Sequence, residues 1–215
     1  MGLMRTAASR TREPHSFDCS RYSADITAGS LKVPESRIIA DLLLRGVDEN
    51  SWREALYDEN VLQTRNPETA KRLARLLRGR LKLMDAQLWT MVRDGSLLVA
   101  THACLAAAVK HSSLLGDFLD TVIREQYRLY NSALSYRVWE EYIAACQANA
   151  PEAGVWRQST IQRLRSTVFQ ILAQAGYIEN TRSLKLQTVH IAKEVLHYLH
   201  ARDEQYVLRC VEIGP

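Results

Sequence analysis

The stretch GSLLVATHACLAAAV, residues 95–109, runs 15 positions without a charge and so has no face to offer water. A membrane span needs ~18–20 apolar residues, and this run is both shorter and interrupted by Thr101 and His102. A helix that is apolar all round and too short for a bilayer must be wrapped by other helices. Residues 95–109 therefore predict the hub of a helical core. The neighbouring AQLWTMVRDG and SLLGDFLDTVIREQYRLY are also helical in pattern and belong to the same apolar middle.

Nine glycines and five prolines punctuate the rest. PESRIIADLLLRG opens on Pro34 and closes at Gly46, with Ile38, Ile39, Leu42 and Leu43 at helical spacing. DENSWREALYDEN predicts a short helix through Trp52, Leu56 and Tyr57, acidic at both ends. NPETAKRLARLLRGRLKLM follows, with Asn66 as N-cap, Pro67 at the first helical position and Glu68 in the first turn. Three short helices on tight turns predict a helix-turn-helix whose third member is the recognition helix.

SYRVWEEYIAACQAN is helical and ends before Pro151. In QSTIQRLRSTVFQILAQAG, Ser159 is the expected N-cap and Gln162 completes a capping box, with Gly176 as the stop. YIEN, TRS and LKLQTV then alternate like a small β-hairpin, and IAKEVLHYLHAR ends the pattern as a helix. That order predicts a winged helix-turn-helix. The expected fold is all-α: a globular, mainly helical protein with two helix-turn-helix elements, the second winged by a small β-hairpin. Its expected divisions are a disordered lead-in over 1–20, an N-terminal helix-turn-helix region over 21–93, a central hub over 94–134, a C-terminal winged region over 135–201 and a tail over 202–215.

The net charge of +4 permits a polyanionic partner without arguing for one, so the distribution of charge has to decide. Between residues 65 and 82 stand seven basic residues and one acid, Glu68. On a helical wheel Lys71, Arg75, Arg78 and Lys82 fall within an arc of about 60°, and Arg65, Arg72 and Arg80 are expected to flank it. The opposite face carries Ala70, Leu73, Ala74, Leu77, Leu81 and Met84. A row of like charges repels itself by a few tenths of a kcal/mol per pair. It is the usual electrostatic footprint of nucleic-acid contact, unless acids of the preceding helix (Asp48, Glu49, Glu54, Asp58, Glu59) neutralise it.

On the later helix, Gln162, Arg163, Ser166, Thr167 and Gln170 lie opposite the apolar face. Such side chains can read base edges or phosphates, and equally make an ordinary polar face. Thr160, Arg163, Ser166 and Gln170 are the candidates there, with Arg182 and Lys185 on the wing.

Catalytic patterns are missing: there is no Gly-rich phosphate loop, GxSxG or HExxH. No enzyme activity, metal or cofactor is expected. His190, Glu194, His197 and His200 cluster along the last helix, a spacing more common on a solvated helix than at a metal. Cys19, Cys104, Cys146 and Cys210 are scattered and read as reduced core thiols in a cytoplasmic protein. The start, MGLMRTAASRTREPHSFDCS, has no apolar h-region and does not read as a signal peptide.

Four blocks, YSADITAGSLKVPESRIIADLLLRG, NVLQTRNPETAKRLARLLRGRL, AAAVKHSSLLGDFLDTVIREQYRL and ILAQAGYIENTRSLKLQ, closely resemble in order and spacing the BrxA family of bacteriophage-exclusion (BREX) defence systems. The resemblance runs over about residues 21–199. It implies an all-helical, soluble, DNA-binding component of a locus that modifies host DNA and blocks phage replication. Members have at times been described as inner-membrane proteins, which the hydropathy of this chain contradicts. The family's helix-turn-helix elements coincide with those at 51–83 and 136–175, and no catalytic residue carries over. The expected partner is double-stranded DNA, bound chiefly through phosphates, with other BREX components as further candidates. Rival readings are a protein-interaction adaptor within the defence complex and an RNA-binding helical protein. With no exposed heptad seam, a monomer is expected.

Overall fold

A computed structural model describes residues 22–149 and 156–214. The lead-in expected over 1–20, and Cys19 with it, lies outside the described residues. A short 3-10 turn, Asp25–Ala28, precedes eleven α-helices among the described residues. These are α1 (Val33–Leu44), α2 (Glu49–Tyr57), α3 (Pro67–Lys82), α4 (Ala86–Asp94), α5 (Leu97–His111), α6 (Ser113–Asp117), α7 (Arg124–Arg128), α8 (Tyr136–Asn149), α9 (Gln158–Ala175), α10 (Lys193–Ala201) and α11 (Gln205–Val211). Between α6 and α7 the chain widens into a π-helical stretch, Phe118–Ile123.

The hub is where the uncharged run places it. Every residue of α5 from Val99 to Val109 is buried, and α1, α3, α4, α6, α9, α10 and α11 all pack against it. The polar groups in this helix find partners. The Thr101 hydroxyl donates to the Leu97 carbonyl at 2.7 Å, and His102 Nδ1 accepts from the Ala192 amide at 2.9 Å. Ser96 caps the helix by accepting from the Val99 amide. The helical pair α5 and 113–128 turns by 108° at its break, and no single helix among the described residues is long and apolar enough to cross a membrane.

Residues 202–215 include α11, whose Val207, Leu208, Cys210 and Val211 are buried against α5. Its Tyr206 hydroxyl donates to Asp117 Oδ1 at 2.9 Å, while Tyr22 donates to Oδ2 at 2.7 Å. A Cβ at Gly116 would sit 2.3 Å from the Tyr206 oxygen, so the absent side chain is what admits the ring. One buried carboxylate thus ties both ends of the described chain to α6. Burial pushes the Cys104 thiol up to about 11 and the Cys210 thiol up to about 12, which suits inert core groups.

The expected β-hairpin wing is not formed. Among the described residues there is no strand, only two isolated antiparallel bridges, Ile178 with Leu186 and Ala133 with Lys185. The turn itself is present: Asn180 Oδ1 accepts from the amides of Arg182 and Ser183, both at 2.9 Å. Leu184 then takes a left-handed φ of 53°, which breaks the extended run before a ladder can grow. The capping box is also absent. α9 starts at Gln158 with Arg157 as N-cap, so Ser159 already lies inside the first turn. Trp156, just before that helix, is packed against the core.

Candidate nucleic-acid interface

α3 is built as its sequence suggests at the start. Asn66 Oδ1 accepts from the Glu68 amide at 2.8 Å and Pro67 occupies the first turn. Its apolar face enters the core, and Gly79 lets the helix approach α5, since a Cβ there would lie 3.3 Å from His111 Nε2. α2 packs alongside, and the two helices bound a groove of ≈ 800 Å³.

Lys71, Arg75 and Lys82 line that groove and are exposed, as are Arg65 and Arg72 beside it. None of these five makes an ion pair or side-chain hydrogen bond to a described residue. Two other cations of the stripe behave differently. Arg78 Nη1 lies 3.1 Å from Glu49 Oε2, and its guanidinium stacks 4.1 Å from the Trp52 ring centroid. That residue pins α2 to α3, so the acids of α2 do neutralise one member of the row. Arg80 does not flank the stripe at all. It is 2% exposed and donates to the carbonyls of Ser30 at 2.6 Å and Gly29 at 3.0 Å. The cause is elementary: nine residues on from Lys71 is about 180° around the helix, on the side turned away from the stripe and at the border of the buried face.

Arg53 was not singled out by the sequence pattern, yet it is exposed, lines the groove and makes no ion pair to a described residue. Tyr57 joins it on the same wall. Spacing could have found both, because Glu49, Trp52, Arg53, Leu56 and Tyr57 recur at i, i+3, i+4, i+7 and i+8 on α2.

On α9, Arg163, Ser166 and Gln170 are exposed and Thr160 is half-buried. Ser166 spends its proton on the Gln162 carbonyl at 2.9 Å. Thr167, expected on the polar face, is buried and donates to the Arg163 carbonyl at 3.0 Å. Arg165 pairs with Glu140 at 3.2 Å and stacks over Tyr136, so it braces α8 against α9. Arg182 and Lys185 are exposed near the Asn180 turn, with no ion pair to a described residue. Exposed basic residues thus stand on α2 and α3 and, apart from those, on α9 and in the 180–185 turn. His190, Glu194, His197 and His200 are exposed, and among the described residues no three His, Cys, Asp or Glu side chains converge to hold a metal.

The family model named BrxA matches residues 20–203 of this chain. A protein named "BREX protein BrxA" from Paramagnetospirillum magneticum is 51% identical over 194 residues, covering 90% of this chain and 98% of the relative. Another of the same name from Escherichia coli is 31% identical over 191 residues, covering 89% and 90%. Among solved structures, that of an uncharacterized protein from Magnetospirillum magneticum superposes with a TM-score of 0.85 at 49% identity, covering 90% of this chain and 100% of the other.

Proposed function

The chain belongs to the BrxA family, and on that premise we propose that it is a non-catalytic, double-stranded-DNA-binding component of a BREX phage-defence system, acting in the cytoplasm as a monomer. Its relatives bear the name of that system, so other BREX components are its natural protein partners. In this reading α1–α3 and α8–α9 serve as two helix-turn-helix elements. The observation that carries it is the row of Lys71, Arg75 and Lys82, open to solvent along one groove and without acidic partners among the described residues. Three unpaired cations in a row on one helix keep their mutual repulsion, which a polyphosphate relieves.

Arg53, Arg65 and Arg72 extend the same field. Arg163 and Gln170 lie on α9, with Arg182 and Lys185 near flanking phosphates. Contacts of this kind neutralise backbone charge and give weak sequence preference with steep salt dependence. A second reading, a protein-interaction adaptor, is favoured by one observation: Leu97 and Leu98 are 71% and 58% exposed beside Lys32 and Glu35. Gel shifts with duplex DNA, single strands and structured RNA, each at two salt concentrations, test the proposal. Salt-sensitive retardation of the duplex supports it. Preference for structured RNA, or no retardation at all, refutes it.

A further inference from the structure

Tyr130 is the most exposed of the large hydrophobic side chains among the described residues, at 88%, and its neighbour Leu129 is 60% exposed. The position is unusual for such a ring. α7 ends with the Leu129 amide donating to Glu125, the Tyr130 amide to Tyr127 and the Asn131 amide to the Gln126 carbonyl. That is the closing pattern in which the residue just past the helix turns left-handed, a place normally held by glycine or asparagine. Here Tyr130 takes it with φ 54°. The ring buries little to offset that conformation, and its hydroxyl bonds no described residue.

The tip stands on a firm base. Asn131 Nδ2 donates to Gln126 Oε1 at 2.8 Å, the Leu186 amide to the Ser132 carbonyl at 3.0 Å, and the Leu134 amide to the Leu184 carbonyl at 2.8 Å. The Tyr136 hydroxyl reaches the Thr181 carbonyl at 2.7 Å. Residues 129–136 are thereby fastened to the 180–186 turn that carries Arg182 and Lys185. Both cations are exposed and unpaired with described residues. The two acids nearest in sequence are engaged: Glu125 with Arg128 at 3.8 Å, and Glu179 with the Ser183 hydroxyl at 2.8 Å. The surface therefore offers a rigid aromatic and aliphatic tip beside open positive charge.

We propose that Leu129 and Tyr130 form an apolar wedge that packs against the bases or sugars of bound duplex DNA, with Arg182 and Lys185 on the phosphates beside it. This rests on the double-stranded-DNA reading above. Charge selects the partner class: an apolar tip flanked by unpaired cations suits stacked bases between phosphates, and inserted side chains of this kind loosen a base step.

The test uses the full chain, its Tyr130→Gly, Tyr130→Phe and Arg182→Gln/Lys185→Gln variants, and a duplex carrying 2-aminopurine. Tyr130→Gly should melt no lower than the parent, because glycine accepts the left-handed backbone. Its duplex affinity should fall about tenfold, the scale of one aromatic–base contact, with an unchanged salt slope. Tyr130→Phe should bind like the parent. Fluorescence of 2-aminopurine should rise on binding of the parent and of Tyr130→Phe, and stay low with Tyr130→Gly. The Arg182→Gln/Lys185→Gln variant should instead flatten the salt slope by about two units. If Tyr130→Gly binds duplex with parental affinity, the wedge is overturned while the basic-groove reading stands. If the parent itself binds no duplex, both fall together.

Discussion

The Arg78 guanidinium lies 4.1 Å from the centroid of the Trp52 ring, with Glu49 Oε2 at 3.1 Å from its Nη1. A carboxylate thus sits where a phosphate oxygen would sit if this arginine bound DNA. Glu49 is itself mostly exposed, so little besides the ion pair holds it there. If the groove binds DNA as proposed, Glu49 would act there as an intramolecular competitor for Arg78. Glu49→Gln should release Arg78 for phosphate, raise duplex affinity and steepen the slope of log K against log salt by up to about one unit. Titrations at several salt concentrations check this, and an unchanged slope would assign Arg78 to structure alone.

Arg80 gives the opposite expectation. Its guanidinium holds the carbonyls of Ser30 and Gly29, and Gln174 Oε1 accepts from the next amide, Leu31, at 3.0 Å. The 29–31 segment is therefore stitched between α3 and α9. Arg80→Met keeps most of the apolar stem but strands two carbonyls, at a cost of about 1–3 kcal/mol. Thermal melting should register a drop of several degrees, while the salt dependence of DNA binding stays where it was. A flattened salt slope in Arg80→Met would contradict its placement in the core.

The helical hub is legible in the sequence because an uncharged helix leaves no choice of face. The cap of α3 is legible too, since Asn66 and Pro67 act locally. Arg80 is legible only if angles are followed strictly; judged by residue type it passes for surface charge. The misreadings at Ser159 and at the wing are of another kind. Both signatures are locally sound, but α9 begins at Gln158 right after Trp156 packs on the core, and Leu184 turns left-handed where its carbonyl meets the Leu134 amide. Those are long-range contacts that no short window contains. That acids of α2 could neutralise part of the row is legible from composition, but which of the five pairs with Arg78, 29 positions away, is set by the packing of α2 on α3.

His102 makes the fold sensitive to acid. Burial holds its pKa below the ordinary imidazole value, partly offset by a backbone hydrogen bond at Ala175, and its Nδ1 needs to stay unprotonated to accept from Ala192. Above the unfolded value of about 6.5 both states are neutral there. As pH falls through that value the unfolded chain gains a proton that the folded chain refuses, so stability declines. Denaturant midpoints between pH 8 and pH 5.5 should fall accordingly. His102→Gln should be less stable at pH 8 and show a shallower decline. An equally steep decline in that variant would move the effect to another histidine.

The open row on α3 bears the most weight. Lys71, Arg75 and Lys82 are exposed and unpaired with described residues, so replacing all three by Gln removes no folded-state contact and preserves helix propensity. Stability should change by less than about 0.5 kcal/mol, or rise slightly as like-charge repulsion is relieved. Each lost phosphate contact releases about 0.9 fewer counterions, so the salt slope should flatten by about 2.7 units and affinity should fall alike for every duplex sequence. Replacing Arg163 and Gln170 instead should alter preference among sequences more than the slope, if α9 faces bases. A triple variant of α3 that binds duplex with parental affinity and slope would remove the groove from the DNA interface. Only α9 and the 180–185 turn would then remain to hold the phosphates.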